Sequence, residues 1–299
     1  MKPSYTKLLE TGELEQRVKA ALKMLDPCTV CPERCGARRL ADRRGRCLIS
    51  DQAIVADYSP HFGEEPPIRG TRGSGTVFFS GCNMHCIYCQ NHAISQDTPG
   101  IPATPEMLAF MFLMLQEKGC HNINLVSPSH IVPMFLEGLM VAAREGLAIP
   151  IVYNSGGYDS LDTLELLDGI VDIYLPDFKY WDPETARRLS GVKEYPSVAR
   201  KAIKEMHRQV GRLQVDEKGV AVRGLLVRHL VLPEGLAGTR YIVRFLRDEI
   251  APGTWINIME QYHPCWKASE FPPLHRSVTQ REYQEATGLA REAGLTLCP

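Results

Sequence analysis

The chain has 299 residues, 44% of them apolar, with 34 Lys and Arg against 35 Asp and Glu for a net charge of −1. That length suits one large α/β domain or two smaller ones, and the charge balance argues against a nucleic-acid-binding protein, which usually carries a basic patch. The N-terminus MKPSYTKLLETGELEQR has no apolar signal core. No apolar run approaches the roughly 20 residues of a membrane helix, so the expectation is a cytoplasmic protein without a membrane partner. Its ten cysteines are expected as metal ligands or catalytic groups, because disulfides do not persist in a reducing compartment.

Leu14, Val18, Leu22 and Leu25 at helical spacing predict an amphipathic helix over 11–25. Cys28, Cys31, Cys35 and Cys47 then place four thiols within 20 residues, which implies a closed metal site. Zinc is the plain reading of that site and a second iron–sulfur cluster the sharper one. Arg34, Arg38, Arg39, Arg43, Arg44 and Arg46 surround it and are expected in solvent. The Gly- and Pro-rich stretch 59–75 reads as a linker. The expected organisation is therefore an N-terminal helix and cysteine-rich metal-binding segment (1–58), a linker (59–75) and a core barrel with a C-terminal helix (76–299).

From residue 76 short apolar strands alternate with helices. Strands are predicted at 76–80, 122–127, 149–154, 171–178, 224–232 and 255–260. Helix starts are predicted at Thr104-Pro105, near Pro133, and at Leu161, Asp182-Pro183, Tyr195-Pro196 and Thr239. A last helix opens on the capping-box sequence Thr279-Gln280-Arg281-Glu282. Such alternation implies a parallel sheet with right-handed crossovers. Six units make a partial (β/α)6 TIM-like barrel, whose chemistry belongs in the loops at the C-terminal ends of the strands. Met107, Met111 and Met114 at helical spacing read as core packing.

Directly after the strand at 76–80 comes Cys82-x3-Cys86-x2-Cys89. A [4Fe–4S] cluster normally takes four thiolates. Three leave one iron open to a small chelating ligand, such as the amino and carboxylate groups of S-adenosylmethionine (SAM), whose sulfonium bond an electron from the cluster can split. CNMHCIYC, with Tyr88 as the aromatic, resembles the Cx3CxΦC motif of radical SAM enzymes. GCNMHCIYCQN, LVSPSH, YNSGGYDS, LPDFKYWD and RHLVLPEG extend the resemblance over 28–295, to the pyruvate formate-lyase-activating-enzyme-like family labelled PflX.

That resemblance implies further site residues. Asp177 and Lys179 match an Asp-x-Lys that helps hold SAM in glycyl-radical-enzyme activases; two residues apart on a strand, they share a face. Arg228, costly inside an apolar strand unless paired, matches an arginine that contacts SAM. His263, in Gln261-Tyr262-His263-Pro264, matches a histidine near the adenosyl group. His229 and Cys265 read as structural. The superfamily's Gly-Gly-Glu contact to the SAM amino group is absent; Ser127-Pro128-Ser129-His130 stands there, with Ser127, Ser129 or His130 as substitutes. Asn154 and Gly156-Gly157 follow the third strand and are placed to line the site. The implied activity is reductive cleavage of SAM to a 5′-deoxyadenosyl radical that removes a hydrogen atom. The implied partners are a one-electron reductant such as flavodoxin or ferredoxin, and a glycyl radical enzyme as protein substrate. Modification of a small molecule or peptide is the second reading, and a non-catalytic iron–sulfur or zinc protein is the reading from a different class.

Overall fold

The computed structural model describes residues 2–299. Ten strands form one sheet: β1 (Ala53–His61), β2 (Ser74–Phe79), β3 (Ile101–Ala103), β4 (Ile123–Val126), β5 (Ile151–Asn154), β6 (Ile173–Tyr174), β7 (Gln214–Val215), β8 (Ala221–Leu230), β9 (Trp255–Met259) and β10 (Thr296–Leu297). The order is β10-β9-β8-β6-β5-β4-β2-β1-β3, with β7 beside β8. The run from β2 through β4, β5, β6 and β8 to β9 is parallel throughout. These are the six expected strands, and helices connect most of them on the outside. The fold is a partial TIM barrel.

The edges depart from the expected pattern. β1 pairs antiparallel with β2 and β3, so residues 59–61 of the presumed linker continue a strand. A short helix, Pro66–Arg69, occupies more of that segment. The helix expected over 11–25 is present as Glu13–Leu22, and an unanticipated short helix, Tyr5–Glu10, precedes it, the two separated at Gly12, whose φ of 76° is left-handed. The fourth strand is reduced to two paired residues, followed by an isolated bridge from Asp177 to Arg228.

Local chemistry sets the helix starts. Thr104 Oγ1 accepts from Met107 N at 3.3 Å ahead of Pro105, Asp182 caps Pro183–Ser190, and Thr279 and Glu282 form the expected capping box. The helices Pro105–Glu117 and Val132–Arg144 bury Leu108, Phe112, Phe135, Leu136 and Leu139. Gly138 lets them approach closely, since a Cβ there would lie 2.6 Å from that of Leu108. Met111 is in this core, as its spacing suggested. At the N-terminal end of the barrel strands, Asp172 accepts from Ser4 N, Ser4 Oγ and Ile151 N, tying the chain's start to β5.

Candidate active site

The three cysteines lie where a barrel places chemistry, in the loop after β2. Gly81, with φ of 75°, turns the chain against the backbone of Cys47; a Cβ there would sit 2.2 Å from the Cys47 carbonyl oxygen. Met84 N donates to Cys82 Sγ at 3.3 Å, Ser190 Oγ donates to Cys86 Sγ at 2.9 Å, and Cys89 Sγ lies 3.2 Å from Ser95 Oγ. Burial, with Cys86 and Cys89 adding to it, pushes the Cys82 thiol up to about 12. Burial also raises Cys86, against the pull of Lys179. Metal ligation therefore displaces protons from these thiols. Among the described residues, no three His, Cys, Asp or Glu side chains are arranged to hold a single metal ion. A cubane does not need that arrangement, because each thiolate binds a separate iron.

The cysteines line a cavity of about 390 Å³. A connected set of charges lines the same cavity. Asp177 accepts from Arg228 Nε at 2.9 Å on one carboxylate oxygen and from Lys179 Nζ at 2.6 Å on the other. Arg228 also donates to Asn154 Oδ1 at 2.7 Å, and its third nitrogen is 3.7 Å from Glu64 Oε2. Burial pushes the Asp177 carboxyl upward, but Arg228 and Lys179 outweigh it and hold the group below its usual range. Glu64 goes the other way: burial raises it to about 7, only partly offset by Arg228. Tyr195 Oη accepts from Lys179 N and lies 2.9 and 3.0 Å from the carbonyl oxygens of Asp177 and Gly156, which share its one proton. Gly157, with φ of 76°, is packed so that a Cβ would lie 2.2 Å from the Asp177 carbonyl oxygen.

Most of the residues anticipated from sequence line this cavity: Cys82, Cys86, Cys89, Tyr88, Ser127, Ser129, Asn154, Asp177, Lys179 and Arg228. Tyr88 packs edge-on against Tyr180 and Tyr262, with centroids 6.3 and 5.8 Å away. Ser127 sits in a left-handed conformation, φ 58°, at the end of β4. His263 is different. It is exposed and does not line the cavity; its Nδ1 lies 3.4 Å from Gln90 Nε2, while the buried position goes to its neighbour Tyr262, which donates to Leu274 O. His130 is also outside, buried behind the wall with Nε2 3.0 Å from Ser80 O. His229 is structural, held between Phe178 O and Thr239 Oγ1. Cys265 lies outside the cavity and donates to Tyr88 O at 3.2 Å.

Sequence reasoning missed Glu64. Its only signal is the Glu64-Glu65 pair inside the Gly- and Pro-rich stretch 59–75, which reads as a linker. It also missed Asn124, buried on β4 with neither amide atom hydrogen-bonded. An orphaned polar group in the barrel costs free energy unless a ligand or water satisfies it. Three thiols together with paired cations and carboxylates in one cavity form a donor set that fits a thiolate-bound cluster beside a zwitterionic ligand.

Comparison with known proteins agrees. A family model described as the radical SAM superfamily matches residues 76–214. An uncharacterized protein of Methanocaldococcus jannaschii, MJ0674, is 33% identical over 292 residues, covering 95% of this chain and 80% of that protein. The chain belongs to the radical SAM superfamily. A second M. jannaschii protein, MJ0808, is 24% identical, over 90% of this chain and 78% of its own length. A radical SAM methyltransferase from Sphaerobacter thermophilus has the same fold, with TM-score 0.50 at 14% identity over 84% of this chain and 77% of that one. The superfamily's cofactors are a [4Fe–4S] cluster and SAM. Among the described residues no helix is long and apolar enough to cross a membrane.

Proposed function

We propose that the chain cleaves SAM reductively on a cluster held by Cys82, Cys86 and Cys89, and that its substrate is a main-chain glycine of a partner glycyl radical enzyme. When bound, the cluster supplies the electron that splits SAM into methionine and a 5′-deoxyadenosyl radical, which takes a hydrogen atom from the substrate. The observation that carries the reading is the cavity itself, lined both by the three cysteines and by the ion-paired Asp177, Lys179 and Arg228.

In this reading Lys179 and Arg228 present N–H donors to the ligand's carboxylate, and Asp177 fixes both cations in place. Glu64 supplies a carboxylate for the ligand's ammonium, beside Ser127 and Ser129, which line the same cavity. Buried Tyr88, with Tyr180 and Tyr262, walls the cluster loop from water. The reductant is a one-electron carrier of the flavodoxin or ferredoxin kind.

The macromolecular substrate rests on the resemblance to glycyl-radical-enzyme activases, and the cavity size is compatible with it. A cavity of about 390 Å³ lies at the low end of the range for a single drug-sized ligand, so with SAM inside, the substrate enters from the mouth, as a peptide loop can. The test uses pyruvate formate-lyase carrying α-deuterated glycine. The expected result is deuterium in the 5′-deoxyadenosine and a glycyl radical by electron paramagnetic resonance. Cleavage of SAM with no deuterium from the protein would remove the activase assignment and leave radical chemistry on another substrate.

A further inference from the structure

The proposed radical chemistry does not use the N-terminal cysteines. Cys28, Cys31 and Cys47 are buried and Cys35 is exposed, all as free thiols. The chain folds back to collect them: Cys28 N donates to Ala37 O at 2.9 Å, Gly36 N donates to Cys28 O at 3.0 Å, and Gly45 lies so close to Cys35 that a Cβ would meet its sulfur at 2.4 Å.

Beside them is Arg39, one of the arginines expected in solvent, and it is 1% exposed. Its guanidinium donates to Ser50 O at 2.6 Å and His130 O at 2.8 Å, and reaches Cys28 Sγ and Met134 Sδ at 3.9 Å. Those are neutral carbonyls and sulfurs; among the described residues no carboxylate forms an ion pair with it. A guanidinium does not shed its proton to escape burial, and an uncompensated buried cation costs several kcal/mol. Four neutral thiols leave that charge unanswered. Four thiolates around a divalent ion, or around a [4Fe–4S] core, carry a net charge of about −2 and answer it.

The same segment is packed onto the loop of the radical cluster. The Cys47 carbonyl abuts Gly81, and Arg46 O lies 3.0 Å from His85 Nε2. Arg46 also donates to Ser190 O at 3.0 Å, the residue whose hydroxyl donates to Cys86 Sγ.

We infer that Cys28, Cys31, Cys35 and Cys47 form a second metal centre, a tetrathiolate site with Arg39 as its buried counter-charge, which braces the loop carrying Cys82 and Cys86. The four side chains are not drawn in to the spacing of a single ion, so the compact zinc geometry expected from sequence is not preformed. The chemistry shared by zinc and an iron–sulfur cluster is the proposal, and elemental analysis separates them.

The test is metal content after anaerobic purification of the variant Cys82→Ala, Cys86→Ala, Cys89→Ala. Either about one zinc per chain, or about four irons with matching sulfide, is the expected result. Less than a tenth of either overturns the proposal. The wild-type protein gives an independent reading should the triple variant not fold. There the expectation is metal beyond one cubane, as zinc or as more than about four irons; four irons and no other metal overturns the site. Arg39→Met is expected to speed loss of the second metal to a chelator at least about tenfold, equivalent to about 1.4 kcal/mol, with Arg39→Lys restoring most of it. An unchanged rate in Arg39→Met would overturn the counter-charge role.

Discussion

Arg228 donates through Nε to Oδ1 of Asp177 at 2.9 Å across 51 residues of sequence. The contact exists because β6 and β8 are parallel neighbours, and it is extended by backbone bonds from Phe178 N to Arg228 O and from Arg228 N to Pro176 O. Lys179 takes the other carboxylate oxygen, so one anion holds two cations at the mouth of the barrel.

Asp177→Asn removes the anion, leaving Lys179 without its ion-pair partner and Arg228 with only the more distant Glu64. A loss of about 3 kcal/mol is expected, as for breaking a buried pair from one side, together with SAM binding weakened at least about tenfold. Thermal melts and equilibrium binding to the cluster-loaded enzyme measure the two effects. Unchanged SAM affinity would mean that the charge set is purely structural.

Gly157→Ala acts on the same carboxylate indirectly. The left-handed φ alone costs roughly 1–2 kcal/mol for an alanine, and the new methyl would press on the Asp177 carbonyl. Loss of stability and of SAM affinity together is the expected outcome. A normal enzyme would show that the Asp177 backbone can move freely.

Glu64 gives a pH signature. Its carboxyl is raised by burial to about 7 in the folded chain, from an ordinary value of 4.5. Below the ordinary value both folded and unfolded states hold the proton. Between the two values the unfolded chain ionises while the folded chain keeps its proton, so stability falls as pH rises, then levels off above about 7. Glu64→Gln lacks this loss. Denaturant melts at pH 5, 6, 7 and 8 should show the variant gaining on wild type up to pH 7 and holding that gain at pH 8. A gap independent of pH would contradict the buried placement of Glu64.

His263 separates motif matching from geometry. Exposed and outside the cavity, it is expected to tolerate change to Ala with SAM cleavage within about twofold of wild type, an effect below 0.5 kcal/mol. A loss of a hundredfold, measured as 5′-deoxyadenosine per minute, would restore the role its position after β9 suggested.

What the sequence made legible follows the range of the interactions. The cysteine triplet and the helix caps are local patterns, and the six barrel strands show as apolar runs between helix signals. β1 was hidden because Pro60 and the glycines and prolines after it read as punctuation, although Pro60 pairs with Gly75 at the sheet edge. Glu64 and Arg39 were misplaced for a related reason. A charged residue in a polar stretch looks solvated, and only the fold reveals that Glu64 faces Arg228 or that Arg39 is enclosed between Ser50 and His130.

In the proposed activity Cys82, Cys86 and Cys89 hold a cluster that splits SAM. Its most direct test is 5′-deoxyadenosine formation by the protein reconstituted with iron and sulfide without oxygen, reduced and given SAM, beside Cys82→Ala. Product from wild type and none above background from the variant is the expected result. Equal product from both, or none from a wild type whose cluster is intact and reduced, would contradict it.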